Sequence, residues 1–414
     1  MHSTIVLAMD VAKSRALGVG LAAALVLRQR EERGDAEGQR VAVFPAQPGV
    51  AIEVGAVARA GADLRRLLDD LPGLRVGDAV VRVDVVEAPA QAAVRGDGAD
   101  ELVAVSDKEA EAYYTAVNEL YDMYAAAAQH VIDHNLFFEL GIPFNLIDAI
   151  KKSWENDVHW HLYGRFDLAG GIDGKPIKLI EFNADTPTAL FETALLQWAL
   201  LKHNKMDEDR QFNNVYQAIS DNFRRLVTLF EHPELFEKYY DGWKILFSSV
   251  SGNIEEEQTV RLLQQMANDA GFDTGFEPLG GVKFDDEGIY DSEDTPYEYW
   301  FKLYPWEDIA IEEPELATLL STIMNNQRAI ILNPAYTLLF QSKGMMKILC
   351  DLFPDSPYLL KTSFEPIKGI QQVEKRMFGR EGANVRIIGS SGETIEANDG
   401  PYGNFKPIYQ EYVE

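Results

Sequence analysis

The chain of 414 residues contains a single cysteine, Cys350, and this scarcity limits the kinds of protein it can be. One cysteine cannot close an intrachain disulfide, so the disulfide framework of small secreted proteins is excluded. Cys350 lies in the apolar run 345–350, where helical spacing predicts a buried core position. A cytoplasmic, reducing compartment is the expectation that follows.

Basic residues are also scarce. The sequence has 38 Lys and Arg against 66 Asp and Glu, which gives a formal net charge of −28. Nucleic-acid binding needs a basic footprint, so no nucleic-acid partner is expected. The acidic excess favours solubility and is compatible with the attraction of a cationic substrate. The apolar run 16–27 is too short to span a bilayer, so we expect a buried helix there and no membrane partner.

Aromatic residues are nearly missing from the first 100 positions. The whole chain has 44 of them, and only Phe44 lies in this segment. The same segment holds 11 Arg but only 1 Lys, whereas the remaining residues hold 17 Lys and 9 Arg. Such an abrupt change in composition predicts a domain boundary between residues 97 and 108. We therefore predict a small α/β segment of unknown function at 1–105.

Apolar periodicity predicts the main elements. In the first segment it predicts strands at 4–9, 41–44 and 79–86 and helices at 15–33 and 58–71. Farther along it predicts helices at 109–134, 186–202, 223–236 and 255–270. Short apolar runs predict strands at 244–250, 298–303 and 329–332. The predicted fold class is α/β.

Two runs of alternating polar and apolar residues, 164–168 and 179–185, have the period of a β-strand. The segment 170–176 between them carries the turn chemistry of Asp173–Gly174. The pattern therefore predicts an antiparallel hairpin.

In this hairpin Arg165 and Asp167 share one face, roughly opposite Glu181 and Asn183. A slip of one residue would change the faces. Carboxylate and amide oxygens suit Mg²⁺, and the arginine fork suits a phosphate or a carboxylate. The alternative is an exposed strand face with a cross-strand salt bridge.

The stretch 112–192 resembles the glutathionylspermidine synthase family and its acid–amine ligase relatives. The motifs that carry the resemblance are AYYT at 112–115, SWE at 153–155, YGRFD at 163–167 and EFNADTPT at 181–188.

The resemblance implies an α+β ATP-grasp-like ligase with an additional small N-terminal α/β segment. It implies a pre-ATP-grasp-like region with the metal and phosphate hairpin at 106–240 and a partial ATP-grasp nucleotide-binding region at 241–414. It also implies roles for the hairpin residues. Asp167, Glu181 and Asn183 match the Mg²⁺ ligands of the family, and Arg165 matches the catalytic arginine that contacts the transferred phosphate. Two further residues match positions that face the acid substrate, namely Thr186 and Thr188.

Later motifs resemble the second half of the family's nucleotide site in their order and approximate spacing. They are FKLYPWE at 301–307, LNP at 332–334, QSKGMMKIL at 341–349 and VEKRMFGREGANV at 373–385. Relatives usually have Asn where this chain has Ser342, directly before the lysine. A strand lysine followed by a glycine-bearing loop suits an ATP clamp, because glycine lets the backbone approach phosphates and lysine neutralises them. The implied ATP-binding residues are Lys343, Lys375, Gly379, Arg380, Glu381, Gly382, Asn384 and Gln410, the last in a hinge strand that contacts adenine mostly through its backbone.

The resemblance implies an enzyme that uses ATP and Mg²⁺ to join small-molecule acid and amine substrates, a peptide-like acid and a polyamine or amino compound. Family members continue beyond the strand that corresponds to 407–414, through strands that contribute another arginine. No counterpart follows here, and residues 1–107 do not resemble the family's short N-terminus. The alternative expectation is therefore a catalytically impaired protein that binds a nucleotide or a metabolite.

Overall fold

The computed structural model describes residues 7–8, 39–43, 102–203, 211–229 and 232–413. Contacts divide the chain into two compact units. One unit combines Met1–Ala36, Glu111–Phe191 and Asn214–Glu414. The other combines Glu37–Ala110 and Glu192–Asn213. The helices predicted at 15–33 and 58–71 and the strand predicted at 79–86 lie outside the described residues.

The described helices vary from one turn to 28 residues in length. They are α1 (Asp107–His134), α2 (Ile147–Glu155), α3 (Gln197–His203), α4 (Val215–Thr228), α5 (Phe236–Tyr239), α6 (Ile254–Ala270), α7 (Trp306–Glu312), α8 (Pro314–Asn325), α9 (Thr337–Gln341) and α10 (Met345–Leu352). Within the described residues, no helix is long and apolar enough to cross a membrane.

The described strands form five sheets. They are β1 (Leu7–Ala8), β2 (Gln39–Val43), β3 (Leu102–Ser106), β4 (Arg165–Ala169), β5 (Lys178–Asn183), β6 (Lys244–Ser249), β7 (Asp273–Phe276), β8 (Lys283–Asp285), β9 (Gly288–Tyr290), β10 (Pro296–Tyr297), β11 (Tyr299–Leu303), β12 (Ile330–Leu332), β13 (Thr362–Ser363), β14 (Gln372–Arg376), β15 (Arg386–Ile388), β16 (Thr394–Ala397) and β17 (Pro407–Glu411).

The fold is mixed α/β. A parallel sheet has the order β12-β11-β6-β7. Its inner strands β11 and β6 are almost wholly buried, as expected for strands covered on both faces, whereas the edge strand β7 is exposed or half-buried. A five-stranded antiparallel sheet has the order β13-β17-β14-β15-β16. The hairpin β4–β5 pairs on its other edge with β1. The strands β8, β9 and β10 form a small antiparallel sheet, and β2 pairs with β3 in the second unit.

The apolar face of the hairpin forms the centre of an aromatic cluster. The rings of Phe166 and Phe182 stack with their centroids 3.8 Å apart. Tyr124 from α1 meets both rings edge-on, and Phe340 from α9 stacks on Phe182. Burying aromatic side chains supplies much of the packing free energy of a core. The polar face of the hairpin is therefore held from behind by rings on two helices.

The turn of the hairpin follows from its residues. Asp173 and Gly174 both have positive φ angles, of 57° and 74°, the conformation that the sequence pattern requires. Gly171, with φ of 84°, has no room for a side chain, because a Cβ would lie 2.3 Å from the Tyr113 ring.

Several predicted elements differ from the structure. The helix predicted from 186 begins only at Leu190 and passes through a π-helical turn at Glu192–Leu196, because the chain bends at Asp185 and Thr186 as it leaves β5. Only the first part of the helix predicted at 223–236 is confirmed, because α4 begins earlier, at Val215, and ends at Thr228. A separate 3-10 turn follows at Pro233–Leu235. Cys350 is half-buried on α10 rather than in the core, and its thiol donates to the Leu360 carbonyl. The predicted helices at 109–134 and 255–270 are confirmed as α1 and α6.

We expect Phe182→Ala to lower the free energy of unfolding by about 3–5 kcal/mol, because it leaves a cavity between rings that nothing else fills. Urea unfolding measures this difference. Phe138→Ala is the matched control, since that ring is 62% exposed and should cost far less. Equal losses from the two variants would contradict the central position of the Phe182 ring.

Candidate metal and phosphate site

One face of the hairpin brings together the four polar side chains that the sequence pattern identified. Arg165 lies opposite Asn183, and Asp167 lies opposite Glu181, so the predicted phase is confirmed. The Nδ2 of Asn183 lies 3.4 Å from Asp167 Oδ2 and 3.3 Å from Glu181 Oε1. The amide thus bridges the two carboxylates.

The guanidinium of Arg165 is held on two sides. Its Nε donates to Asp167 Oδ1 at 2.8 Å and its Nη2 to Asp167 Oδ2 at 3.1 Å, a two-point contact of the kind that fixes an arginine's orientation. Its Nη1 reaches the Thr188 hydroxyl at 3.2 Å and the Thr188 carbonyl at 3.3 Å. Of the two predicted substrate-facing threonines, Thr188 therefore contacts the arginine, while Thr186 lies half-buried in the bend that follows β5.

Two lysines from the C-terminal half of the chain reach the hairpin. Lys343 Nζ lies 3.2 Å from Glu181 Oε2 and donates to the Gly379 carbonyl at 2.8 Å. Lys375 Nζ donates to the Ile180 carbonyl at 3.2 Å. Residues separated by about two hundred positions thus form one charged cluster.

A β-bulge explains how Lys375 reaches the hairpin backbone. The pairing shifts between Asp167 and Leu168, so Ile180 has no partner on β4. Its carbonyl is therefore available to Lys375 instead of to a neighbouring strand.

Gln410 lies beside this bulge with only 2% of its surface exposed. It accepts from Lys375 Nζ at 2.8 Å and donates to the Leu179 carbonyl at 3.2 Å. The side chain of this predicted nucleotide-binding residue thus supports Lys375 and the hairpin.

Burial and charge shift the pKa values in this cluster in opposite directions. Burial raises the pKa of Asp167 above its ordinary value, although Arg165 opposes the shift. Burial also acts to raise the pKa of Glu181, but Lys343 and Lys375 outweigh it and lower that pKa to about 2. Burial lowers the pKa of Lys375 to about 8, against the attraction of Glu181. Glu181 is therefore ionised throughout the physiological range, and Lys375 titrates at its upper end.

The predicted loop 379–384 has three residues with positive φ, Glu381, Gly382 and Asn384. Asn384 Oδ1 accepts from the Tyr402 backbone N–H at 2.7 Å, which fixes the end of the loop. Gly379 contributes its carbonyl to Lys343, and Glu381 and Gly382 are exposed. A left-handed loop of this kind directs backbone groups outward, as phosphate-binding loops do.

Arg380 is tied to a buried acid rather than exposed at the tip of the loop. Its Nη2 pairs with Glu307 Oε1, and Glu307 has no exposed surface. Asp308 Oδ2 lies 3.9 Å from Arg380 Nη1. Burial and the neighbouring Glu307 raise the pKa of Asp308 to about 6. Glu256, at the start of α6, is also within electrostatic range of Arg380.

A second buried junction lies directly behind the hairpin. Asp185 Oδ1 pairs with Lys302 Nζ at 2.9 Å, and Asp185 Oδ2 accepts from the Trp306 backbone N–H at 2.8 Å. The amide of Asn333 donates to the carbonyls of Tyr163, Ala184 and Asp185 at 3.1, 3.1 and 3.0 Å. The segments 163–167, 181–188, 301–307 and 332–334 therefore meet in one place.

The chemistry of the donor set fits a magnesium ion. Two carboxylates and a carboxamide, which can present its oxygen after rotation, are hard-oxygen ligands. In the described part of the chain, no three His, Cys, Asp or Glu side chains form a metal-holding group, so the amide is needed to complete a set of three. The residues that would hold Mg²⁺ are Asp167, Glu181 and Asn183.

The sequence reasoning did not assign roles to Asp185, Glu307, Asp308 or Glu256. Asp185 and Glu307 lie inside the motifs at 181–188 and 301–307. The sequence does not show that their carboxylates are buried, because a buried acid after an apolar run has the same local pattern as an exposed one. Glu256 belongs to the acidic first turn of α6, which looks like ordinary helix capping. Only the tertiary structure brings Glu256 near Arg380.

The described part of the chain is thus a mixed α/β protein whose hairpin and C-terminal sheet share one charged site. A family model for the glutathionylspermidine synthase preATP-grasp region matches residues 97–414. The chain belongs to that family, which confirms the resemblance seen in the motifs.

The individual relatives share 25–30% of their aligned residues with this chain. A putative acid–amine ligase from Haemophilus influenzae is 30% identical over 282 residues, which cover 64% of this chain and 66% of the relative. The bifunctional glutathionylspermidine synthetase/amidase of Escherichia coli is 25% identical over 325 residues, covering 72% and 49%. The glutathionylspermidine synthase of Crithidia fasciculata is 25% identical over 312 residues, covering 66% and 41%. The chain thus spans only part of each relative, and these relatives are named as ligases or synthetases.

We expect Arg380→Met to destabilise the protein by on the order of 3 kcal/mol, because it leaves the Glu307 carboxylate buried without its countercharge. Glu307→Gln removes the buried charge itself and should cost less. The double variant should cost less than the sum of the two single variants. Urea unfolding of all three measures the coupling.

Arg386→Met is the control for this experiment. Arg386 is 45% exposed and lies 3.6 Å from Glu374, so we expect a small change. Additive losses from the two changes at Arg380 and Glu307 would contradict a direct pairing.

Proposed function

We propose that the chain is an ATP-dependent carboxylate–amine ligase that forms an amide bond through an acyl phosphate. The observation that carries the proposal is the meeting of the hairpin carboxylates with Lys343 and Lys375. Oxygen ligands for a metal and cations for phosphates are what phosphoryl transfer requires, because that reaction depends on positioning and charge neutralisation.

The side chains divide the work. Asp167, Glu181 and Asn183 would hold Mg²⁺, whose positive charge would offset the negative charge of the ATP phosphates. Lys343 and Lys375 would neutralise further phosphate charge, and the loop 379–384 would supply backbone N–H groups.

Arg165 orients and stabilises the group in transfer. The substrate carboxylate attacks the γ-phosphorus, the bond to the leaving ADP oxygen breaks, and an acyl phosphate forms. The amine then attacks the acyl carbon, phosphate leaves with the electron pair of the broken bond, and the amine loses a proton. Since Arg165 is fastened by Asp167 and Thr188, its guanidinium is oriented before the substrates arrive.

The substrates are a peptide-like acid and a polyamine or another amino compound, by analogy with the relatives named for glutathionylspermidine. The threonines at 186 and 188 face the acid. Glu307 and Asp308 lie beside Arg380 and Glu256 is within its electrostatic range, so acidic residues outnumber this cation, which favours a cationic amine on that side of the site.

A second candidate is a protein that binds a nucleotide or a metabolite without turnover. The observation that favours it is that both hairpin carboxylates already have protein cations as partners, Arg165 for Asp167 and Lys343 for Glu181. A metal ion has to compete with these ion pairs.

The test of the ligase function is ATP-dependent ADP release in mixtures of small peptides and polyamines. We expect turnover that depends on both kinds of substrate, and Asp167→Asn should reduce it on the order of a hundredfold because a metal ligand is altered. Asp173→Asn is the matched control, since Asp173 lies exposed in the turn of the same hairpin. Equal background release from the wild type and Asp167→Asn would rule out the ligase function. Protection against heat by Mg-ATP without any turnover would favour the second candidate.

The pKa of Lys375 predicts a pH dependence. Below about pH 8 the free enzyme holds the charged amine that neutralises phosphate, so kcat/KM for ATP should fall as pH rises through about 8. In Lys375→Arg, the guanidinium stays charged, and the fall in this range should disappear. Steady-state kinetics between pH 7 and 9 measure the effect, with the exposed Lys361→Arg as control. A flat wild-type profile would contradict the assignment.

A further inference from the structure

Gln341 is a buried glutamine that the proposed chemistry does not use. It ends α9, lies two residues before Lys343 and is 4% exposed. Burying a primary amide is costly unless its donors and acceptors have partners. Its contacts therefore show what the side chain is for.

Those contacts are made to the chain that leaves β5. Gln341 Oε1 accepts from the backbone N–H groups of Ala184 at 2.8 Å and Asp185 at 3.1 Å. These two residues follow the last residue of the strand, so their N–H groups lie beyond the β4–β5 pairing. The side chain thus satisfies two buried donors at the point where the sheet ends.

The other end of the same amide faces the candidate metal ligand. Gln341 Nε2 lies 3.5 Å from Asn183 Oδ1, at the long limit of a hydrogen bond. Asn183 in turn lies between Asp167 and Glu181. A change in the position of Gln341 therefore passes first to Asn183 and then to the carboxylates.

Asn333 holds the same turn from the other side. Its Nδ2 donates to the carbonyls of Ala184 and Asp185, and its Oδ1 accepts from the Leu162 N–H at 2.9 Å. Gln341 accepts from the N–H groups and Asn333 donates to the carbonyls, so the backbone groups of two consecutive residues, Ala184 and Asp185, are all bound by buried amides.

We infer that Gln341 is a positioning residue for the proposed magnesium ligands: by accepting from the N–H groups of Ala184 and Asp185, it fixes the backbone that directly follows Asn183. This inference rests on the proposed function, because it concerns the same ligand set. Outer groups that orient metal ligands commonly change metal affinity by ten- to a hundredfold when they are removed, on the order of magnitude expected here.

A purely structural glutamine would give a different result. Gln372 supplies the comparison, because it is 3% exposed and also binds backbone through both ends of its amide, to the N–H of Ile367 at 2.7 Å and its carbonyl at 2.9 Å. None of these contacts involves a hairpin carboxylate. Gln341→Met and Gln372→Met each remove hydrogen bonds between a buried amide and the backbone. Only the bonds of Gln341 lie next to Asn183.

The readout is the Mg²⁺ concentration that gives half of the thermal protection by a non-hydrolysable ATP analogue, which needs no turnover. We expect Gln341→Met to raise this Mg²⁺ concentration about tenfold. Gln372→Met should lower the melting temperature without ligand but leave the Mg²⁺ concentration for half protection unchanged. In an Asn183→Ala background, Gln341→Met should produce no further rise, because it acts through Asn183.

Three results would overturn the inference. They are an unchanged Mg²⁺ requirement in Gln341→Met, an equal shift in Gln372→Met, and a full additional rise in the Asn183→Ala background. If Gln341→Met does not fold, Gln341→Asn, whose amide is one methylene shorter, should raise the Mg²⁺ requirement at least threefold, about the smallest shift expected once the amide no longer reaches the N–H groups of Ala184 and Asp185.

The same titration separates this inference from the proposed function. A wild-type protein that shows no Mg²⁺-dependent protection would overturn the metal assignment and this inference with it. Normal wild-type protection combined with an unchanged Mg²⁺ requirement in Gln341→Met would overturn only the role of Gln341.

Discussion

Asp185 is a carboxylate with no exposed surface, and the position of the hairpin beside the parallel sheet depends on how that charge is satisfied. Lys302 pairs with one oxygen, and the backbone N–H of Trp306 donates to the other. A buried ion pair adds little net stability, but removing one partner leaves the other charge buried and unpaired. Any other position of the hairpin that separates Asp185 from Lys302 is therefore strongly disfavoured. Because Asp185 lies two residues after Asn183, this pairing also restricts the position of the proposed metal ligands.

The site itself balances two opposing effects. Burial disfavours charge on Asp167 and on Lys375, whereas the close approach of opposite charges favours it on Glu181. The bulge at Ile180 supports the balance, because it frees a backbone carbonyl that holds the amine of Lys375 without adding another charge. Two strands and a distant sheet thus form a compact cluster in which each charge has a partner.

Local rules predicted the hairpin well and the neighbouring helices less well. Alternation and the Asp173–Gly174 turn are short-range properties, so the facing of Arg165 and Asp167 toward Asn183 and Glu181 followed from them. The helix expected from residue 186 starts only at Leu190, because the chain first bends at Asp185 and Thr186, where Gln341 and Asn333 bind the backbone of Ala184 and Asp185. That contact joins residues about 150 positions apart, and no local pattern reports it.

The sequence alone determined which residue types carry the chemistry, because carboxylates, an arginine and two lysines in motif order are visible without coordinates. The tertiary structure alone decided how they are used. It placed Lys343 on Glu181 and Arg380 on the buried Glu307, and it turned the side chain of Gln410 toward Lys375. The physical reason is that a charge is ordinary on a surface, and acquires a specific partner only when folding removes water from around it.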